Sequence, residues 1–271
     1  MVPIDVNAEV TSNQRLSSDY NIVALAAPAI ARGAAPGQFV MVKAGSGHDP
    51  LLRRPFSVFE VHRDAAGEPM GISLLNKRIG LSTARLYAAR PGERIACFGP
   101  LGRPFTPVEP PVEAWMVAGG VGLAPFATLA ESLRRRGVRS TLFYGARSAS
   151  ELFHLEFFRN LGVEIVLTTE DGTAAERGRI VAPLERALAA RSPNAPVMLY
   201  ACGPEGMLAA TARIAASHNR TCQVSVERVM GCGLGGCYSC VLPMLDERAE
   251  RHYVRSCITG PVLPADRILW D

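Results

Sequence analysis

Three cysteines, Cys232, Cys237 and Cys240, lie within the glycine-rich stretch "GCGLGGCYSC" (231–240), and Cys257 follows after sixteen intervening residues. Thiolates so placed can close disulfides, bind zinc or hold an iron–sulfur cluster. The chain has seven cysteines, an odd number with four of them grouped. That suits metal or redox use in a reducing compartment better than a disulfide framework. A four-cysteine zinc site usually pairs two Cys-x2-Cys knuckles from separate loops. Here one loop supplies three candidates in a Cys-x4-Cys-x2-Cys run and the fourth is distant, which is the plant-type [2Fe–2S] spacing. The intervening glycines let a loop wrap tightly and turn backbone N–H groups toward sulfur. The spacing favours a cluster on Cys232, Cys237, Cys240 and Cys257 over zinc or disulfides. Cys97 and Cys222 read as packing residues.

Glycines recur where phosphate chemistry is plausible. "GGVGLAP" (119–125) follows an apolar strand pattern and opens a helical one, and "CGPEGML" (202–208) ends the last strand pattern of the same region. Helix N-termini attract phosphate, and open α/β sheets bind ligands at the carboxyl ends of their strands. Together the two stretches predict one dinucleotide site. The first alone is weak, because Pro125 stands where G-x-G-x-x-G requires its third glycine. "RRPFS" (53–57) offers an arginine and a hydroxyl to a phosphate or flavin ring, although a plain strand start reads the same. "NKRIGLST" (76–83) offers glycine, hydroxyls and a helix start.

These groups need a frame. A chain of 271 residues suggests two domains and an appendage. Its 48% hydrophobic and 20% charged residues suit a globular protein with a core. The net charge of +4 mixes both signs, and Arg134–Arg136 reads as a solvated helix end, so no nucleic-acid partner is expected. No apolar run approaches the ~18 residues of a membrane span. The N-terminus carries Asp5 and Glu9 and no basic-then-apolar pattern, so a cytoplasmic protein without membrane contact is expected. Residues 1–107 show short apolar runs punctuated by Gly and Pro, the pattern of a small β-barrel. After "TPVEPP", residues 108–221 alternate strand and helix patterns, with "SELFHLEFFRNLG" (150–162) among the helices, predicting a doubly wound parallel sheet. Residues 222–271 are too few to fold without a staple, which a metal centre would supply. The expected fold class is therefore multi-domain β and α/β.

"RPFS", "GGVGLAP", "TTEDG" (168–172), "ACGPEGM", the cysteine loop and "CITGP" (257–261) occur in one order along nearly the whole chain. In this the chain resembles the electron-transfer subunits of NAD-dependent, class 1B dihydroorotate dehydrogenases, within the ferredoxin–NADP reductase superfamily. The resemblance implies an FAD-binding barrel, an NAD domain and a [2Fe–2S] domain in an NAD-dependent oxidoreductase of pyrimidine biosynthesis. Electrons would pass from an FMN-containing catalytic subunit through the cluster and FAD to NAD⁺, in a heterotetramer of two of each chain. It assigns Arg54, Pro55, Phe56 and Ser57 to the flavin motif, Leu75, Asn76 and Lys77 to a second flavin contact, and Ser82 and Thr83 to the pyrophosphate. The family often has glycine where Ser82 stands. Gly119, Gly120 and Gly122 match the pyridine-nucleotide loop, and Cys202, Gly203 and Pro204 the motif near the nicotinamide, where Cys202 has either a contact or a packing role. Hydride exchange needs no general base, and no catalytic residue is expected. Arg147 and Ser148 sit where a 2′-phosphate would bind, but no dense basic cluster accompanies them and the family uses NAD. The exposed side of the cysteine loop is the expected docking surface. A related reductase subunit serving ferredoxin or a hydrogenase would carry the same motifs. A zinc-bearing regulatory module would not need "RPFS".

Overall fold

The computed structural model describes residues 2–45 and 50–270. The N-terminal part holds β1 (Ile4–Arg15), β2 (Tyr20–Ala26), α1 (Pro28–Ala31), β3 (Phe39–Lys43), β4 (Arg54–Ser57), β5 (Glu60–Arg63), β6 (Pro69–Lys77), α2 (Leu81–Ala88) and β7 (Arg94–Leu101). These strands form one antiparallel sheet in the order β4-β3-β7-β1-β2-β6-β5. β4 runs almost directly into β5, yet the two lie at opposite edges, so the sheet must curl until its edges meet. The link is held by Val58 N–H on the Gln38 carbonyl at 3.0 Å and Phe59 N–H on the Ser73 carbonyl at 2.9 Å. Val10, Val23, Val40, Leu74 and Leu86 fill the interior.

A chain of three asparagines fixes α2 across one end of this barrel. Asn76 Nδ2 donates to Asn21 Oδ1 at 2.7 Å, and Asn21 Nδ2 donates to Asn13 Oδ1 at 2.7 Å. Their remaining amide protons reach the Thr83 carbonyl near the helix start and the Leu86 and Ala89 carbonyls near its end. Asn21 and Asn76 are fully buried. Paired to each other and to helix carbonyls, their amide protons avoid the usual cost of buried polar groups.

The second part holds β8 (Glu113–Gly119), α3 (Phe126–Arg135), β9 (Ser140–Ala146), α4 (Leu155–Asn160), β10 (Glu164–Thr169), β11 (Glu176–Arg177), α5 (Val181–Ala189), β12 (Val197–Cys202), α6 (Glu205–Ser217) and β13 (Thr221–Ser225). Its strands are parallel, and its central strands β8 and β12 are buried on both faces, as expected when helices cover a sheet. The order is β11-β10-β9-β8-β12-β13, extended antiparallel by β16 (Val262–Pro264). β14 (Val241–Leu245) and β15 (Arg251–Arg255) form a separate hairpin. Three sequence expectations shift. The boundary after residue 221 cuts through β13, because the parallel sheet continues to Ser225 and then recruits β16 from the C-terminal segment. "GGVGLAP" does not lead straight into a helix: a 3-10 turn over Gly120–Leu123 precedes α3. The helix expected over residues 150–162 shrinks to Leu155–Asn160, since His154 takes a left-handed backbone with φ 61°.

The barrel and the parallel sheet share one core. Ile22, Phe59, Leu75 and Phe105 pack with Met116, Leu123, Phe126 and Tyr200. Tyr20 meets Phe153 at 4.7 Å between ring centroids, and Lys77 pairs with Glu151 at 3.7 Å. The C-terminal segment lies on both: Leu242, Met244 and Val254 join the core under β13, while Met230, Cys240 and Cys257 pack on Phe39, Met41 and Leu101 of the barrel. Among the described residues no helix is long and apolar enough to cross a membrane.

Candidate functional site

The strand order reverses at β8, which has β9 on one side and β12 on the other. Such a switch point opens a crevice at the carboxyl ends of the strands. Those ends carry the two glycine stretches. Gly122 exists because its loop touches the next strand: a Cβ there would overlap the Cys202 carbonyl. Gly203, at φ 153°, turns the chain out of β12 and abuts Gly119.

A cavity of about 440 Å³ occupies this crevice, lined among others by Gly119, Gly120, Arg147, Thr168, Arg179 and Pro204. The Thr168 hydroxyl is buried there without a hydrogen-bond partner. An orphaned polar atom in a cavity wall is fitted to a ligand hydroxyl. A second cavity of about 770 Å³ lies between the parallel sheet and the barrel. Arg54, Pro55, Phe56, Ser57, Leu75, Lys77, Ser82, Thr83, Gly122 and Cys202 all line it. The two cavities adjoin, since Lys77, Val121 and Glu227 line both. A bent, two-part ligand volume of this kind accommodates a flavin nucleotide beside a pyridine nucleotide.

The expected residues divide by role. Arg54 Nη1 is tied to the Leu52 and Arg53 carbonyls, which steadies its guanidinium at the cavity wall. Thr83 Oγ1 accepts from the Ile79 and Gly80 N–H groups at 2.9 Å each and donates to the Gly80 carbonyl. Its hydroxyl is thus spent on shaping the turn before α2. Asn76 does not line the cavity; it belongs to the asparagine chain below α2. Gly203 lines neither large cavity and acts through its backbone turn. Cys202 is buried against the flavin-side cavity, and burial pushes its thiol up to about 12. It stays a neutral thiol and supplies no nucleophile.

Sequence reasoning missed Glu227. It stands two residues past β13 and lines both cavities, and desolvation raises its carboxyl above the usual range. The rule that ligands gather at carboxyl strand ends would have found it, had β13 been placed in the sheet. Thr168, near the end of β10, falls within "TTEDG" but was given no role, for want of the same register.

The cysteines are gathered by a hairpin. Val241 pairs with Arg255, and Ser256 N–H donates to the Cys240 carbonyl at 3.0 Å. Two five-residue strands joined through the Asp246 turn therefore carry Cys257 back beside Cys240. This is the physical content of the sixteen-residue gap. Cys232 and Cys237 sit in the loop before it. Leu234 N–H donates to Cys232 Sγ and Ser239 Oγ–H to Cys237 Sγ, both at 3.3 Å. The Ser239 bonds, then those with Cys232, hold the exposed Cys237 thiol down to about 6. Burial first, and Cys240 second, push Cys257 up to about 12. Cys237 thus interacts with Cys232, and Cys257 with Cys240 and also with Cys232. Among the described residues no three His, Cys, Asp or Glu side chains converge on a single ion position. Four cysteines with N–H and O–H donors to sulfur suit a binuclear cluster with two thiolates per iron.

Comparison with known proteins agrees with this geometry. Residues 227–269 match the iron-sulfur cluster binding domain of dihydroorotate dehydrogenase B, and residues 116–213 match the oxidoreductase NAD-binding domain. The chain is 35% identical over 246 residues to the dihydroorotate dehydrogenase B (NAD(+)) electron transfer subunit of Desulforamulus reducens, covering 90% of each chain. The protein of the same name from Geobacillus kaustophilus is 36% identical over 237 residues, 86% of each. Among solved structures, the NADH-dependent reduced ferredoxin-NADP oxidoreductase superposes with a TM-score of 0.83 at 24% identity, covering 98% of this chain and 91% of that one. The ferredoxin reductase of carbazole 1,9a-dioxygenase gives 0.66 at 22% identity, covering 81% and 67%. The structural likenesses establish a ferredoxin-reductase-like fold. With the sequence relationships spanning almost the full length, the chain belongs to the family of dihydroorotate dehydrogenase B (NAD(+)) electron transfer subunits.

Proposed function

We propose that this chain conducts electrons from a dihydroorotate-oxidising catalytic subunit to NAD⁺, holding a [2Fe–2S] cluster on Cys232, Cys237, Cys240 and Cys257 and FAD in the larger cavity. The observation that carries the reading is the junction of the two cavities at Lys77, Val121 and Glu227, with the cysteine loop packed on the barrel behind the larger one. When bound, a nicotinamide exchanges a hydride, a flavin accepts electrons singly or in pairs, and the cluster carries one.

The protein's part is to bind, orient and exclude water. Arg54, Ser57 and the N-terminal turn of α2 at Ser82 present donors to a flavin nucleotide, with the turn itself pinned by Thr83. Gly119, Gly120 and Pro204 let a pyridine nucleotide lie against backbone, and the free Thr168 hydroxyl serves its ribose. Cys202 and Val121 add uncharged wall on the flavin side, while the junction itself also carries Lys77 and Glu227. No side chain is required to move a proton.

The partner docks on the exposed face of the cysteine loop, where Leu234 (59% exposed), Tyr238 (61%) and Ile258 (43%) surround Cys237. The partner carries FMN, and the assembly holds two copies of each chain. The test is anaerobic co-expression with the host's dihydroorotate-oxidising flavoprotein, followed by dihydroorotate-dependent reduction of NAD⁺ and light scattering of the purified pair. Turnover that vanishes when this chain is omitted supports the reading. A chain that binds FAD and iron and oxidises NADH, yet neither pairs nor restores turnover, overturns it in favour of a reductase subunit with another acceptor.

A further inference from the structure

The larger cavity and the cysteine loop are separate features of the fold, and the protein between them has not been assigned a role. The apolar cluster behind the loop contains Phe39, Met41, Leu101, Met230, Cys240 and Cys257. Of these, Phe39 and Met230 alone also line the flavin-side cavity. Both are closely buried, at 3% and 6% exposure. Met230 precedes the loop by a single residue before Cys232, and Phe39 lies on β3 beside Met41, against which Gly233 packs so closely that a Cβ would come within 2.6 Å of Met41 Cγ. The segment after Cys257 is clamped to the barrel by Arg103 N–H on the Gly260 carbonyl at 2.6 Å.

We propose that Phe39 and Met230 form the dry wall through which single electrons pass between the flavin cavity and the Cys240–Cys257 side of the cluster. The inference rests on the proposed cofactors and goes beyond them in naming the connecting residues. Electron transfer weakens steeply with distance and with water in the gap. A close-packed wall of aromatic and thioether side chains keeps the two centres near and the gap water-free. With NADH as donor, each event moves one electron from the flavin to the cluster; with the partner as donor, it moves one electron from the cluster to the flavin. The electrons originate in the hydride of NADH, or in the partner when flow runs the other way, and the accompanying proton remains on the flavin side or in solvent. Phe39 and Met230 are neither oxidised nor protonated; they are positioning residues.

The experiment mixes the purified, cofactor-loaded protein with NADH anaerobically. It follows flavin and cluster absorbance separately, with Met230→Ala, Met230→Leu and Phe39→Leu as variants. Met230→Ala should slow the cluster phase roughly tenfold, the lower end of what losing an outer-shell neighbour of a metal centre costs. The flavin phase should slow less than the cluster phase, since both residues also line the flavin cavity, and Met230→Leu should recover most of the loss. Iron content and the cluster's electron paramagnetic resonance spectrum provide the readout independent of turnover and should match the unsubstituted protein in every variant. FAD content is measured for each, and cluster-phase rates are taken on the FAD-loaded fraction, because both residues line the flavin cavity. Unchanged cluster-phase rates in Met230→Ala and Phe39→Leu, with both cofactors retained, would overturn the inference. So would loss of the cluster signal in Met230→Leu, which would make the residue part of the cluster's support. Absence of iron or flavin from the unsubstituted protein would instead sink the cofactor reading on which the inference stands.

Discussion

The nucleotide crevice and the cysteine loop are built by opposite strategies. The crevice is a product of backbone: parallel strands, their reversal at β8 and two glycine loops in contact define it before any ligand arrives. The cysteine loop from Gly231 to Cys240 has no helix or strand of its own. It is held by packing on Met41, by Arg255 on the Gly235 carbonyl at 2.6 Å and by the Leu234 N–H and Ser239 hydroxyl donated to cysteine sulfurs. One site is therefore preformed, and the other depends on its metal for much of its order. The two should fail independently.

The largest separation is expected from Cys257→Ser. It removes a thiolate that the hairpin alone positions, so cluster iron and colour should be lost and NAD⁺ reduction through the partner abolished. FAD binding and NADH oxidation with an artificial dye should persist, because neither cavity includes Cys257. Iron analysis beside a dye assay measures both halves, and a joint collapse would show that the crevice is not preformed. Gly122→Ala is the converse. Its methyl group would overlap the Cys202 carbonyl, and overpacking of this kind costs about 1–3 kcal/mol. NADH oxidation should fall sharply with iron content intact. Retained NADH oxidation in Gly122→Ala would mean the two loops have slack that the packing does not show.

The same contrast explains what the sequence disclosed. The cysteine spacing was legible because cluster chemistry fixes donor number and loop shape locally, and because Gly231, Gly233, Gly235 and Gly236 accompany it. "RPFS" was legible as a strand and the two glycine stretches as strand ends. Glu227 and Thr168 were not, because their place depends on which strands lie side by side, and pairing is non-local. Asn76 was misleading for a related reason. Its neighbours Leu75 and Lys77 do line the cavity, but the strand's alternation turns Asn76 the other way, into the asparagine chain.

That chain sharpens the comparison inside the preformed half. Asn21→Ala removes the central link, leaving Asn76 Nδ2 and Asn13 Oδ1 each short of a partner. Stranding buried polar groups costs about 1–3 kcal/mol, which denaturant unfolding will read directly. α2 should then hold its N-terminal turn less firmly, and FAD should dissociate more readily, while the cluster spectrum stays unchanged. Wild-type FAD affinity alongside lowered stability would confine the asparagines to a purely structural role.

The smallest effect concerns the seam between barrel and parallel sheet. Glu60 on β5 lies 3.5 Å from His154, the residue before α4. Burial pushes the Glu60 carboxyl up, but the hydrogen bond and charge of His154, with help from Ser73, outweigh it and hold the carboxyl below its ordinary value. A carboxyl depressed in the folded state adds stability that is present above the unfolded value, about 4.3, and is lost as pH falls through the lower folded value. With His154→Ala, burial then opposes little more than the Ser73 bond, so the acid limb of the stability curve should flatten. The change at neutral pH should stay within about 1 kcal/mol, as for other partly solvated pairs. Urea midpoints measured between neutral and acid pH for both proteins decide it. Parallel curves would mean the seam is held by the apolar contacts of Tyr20, Phe59 and Phe153 and that the ion pair adds nothing.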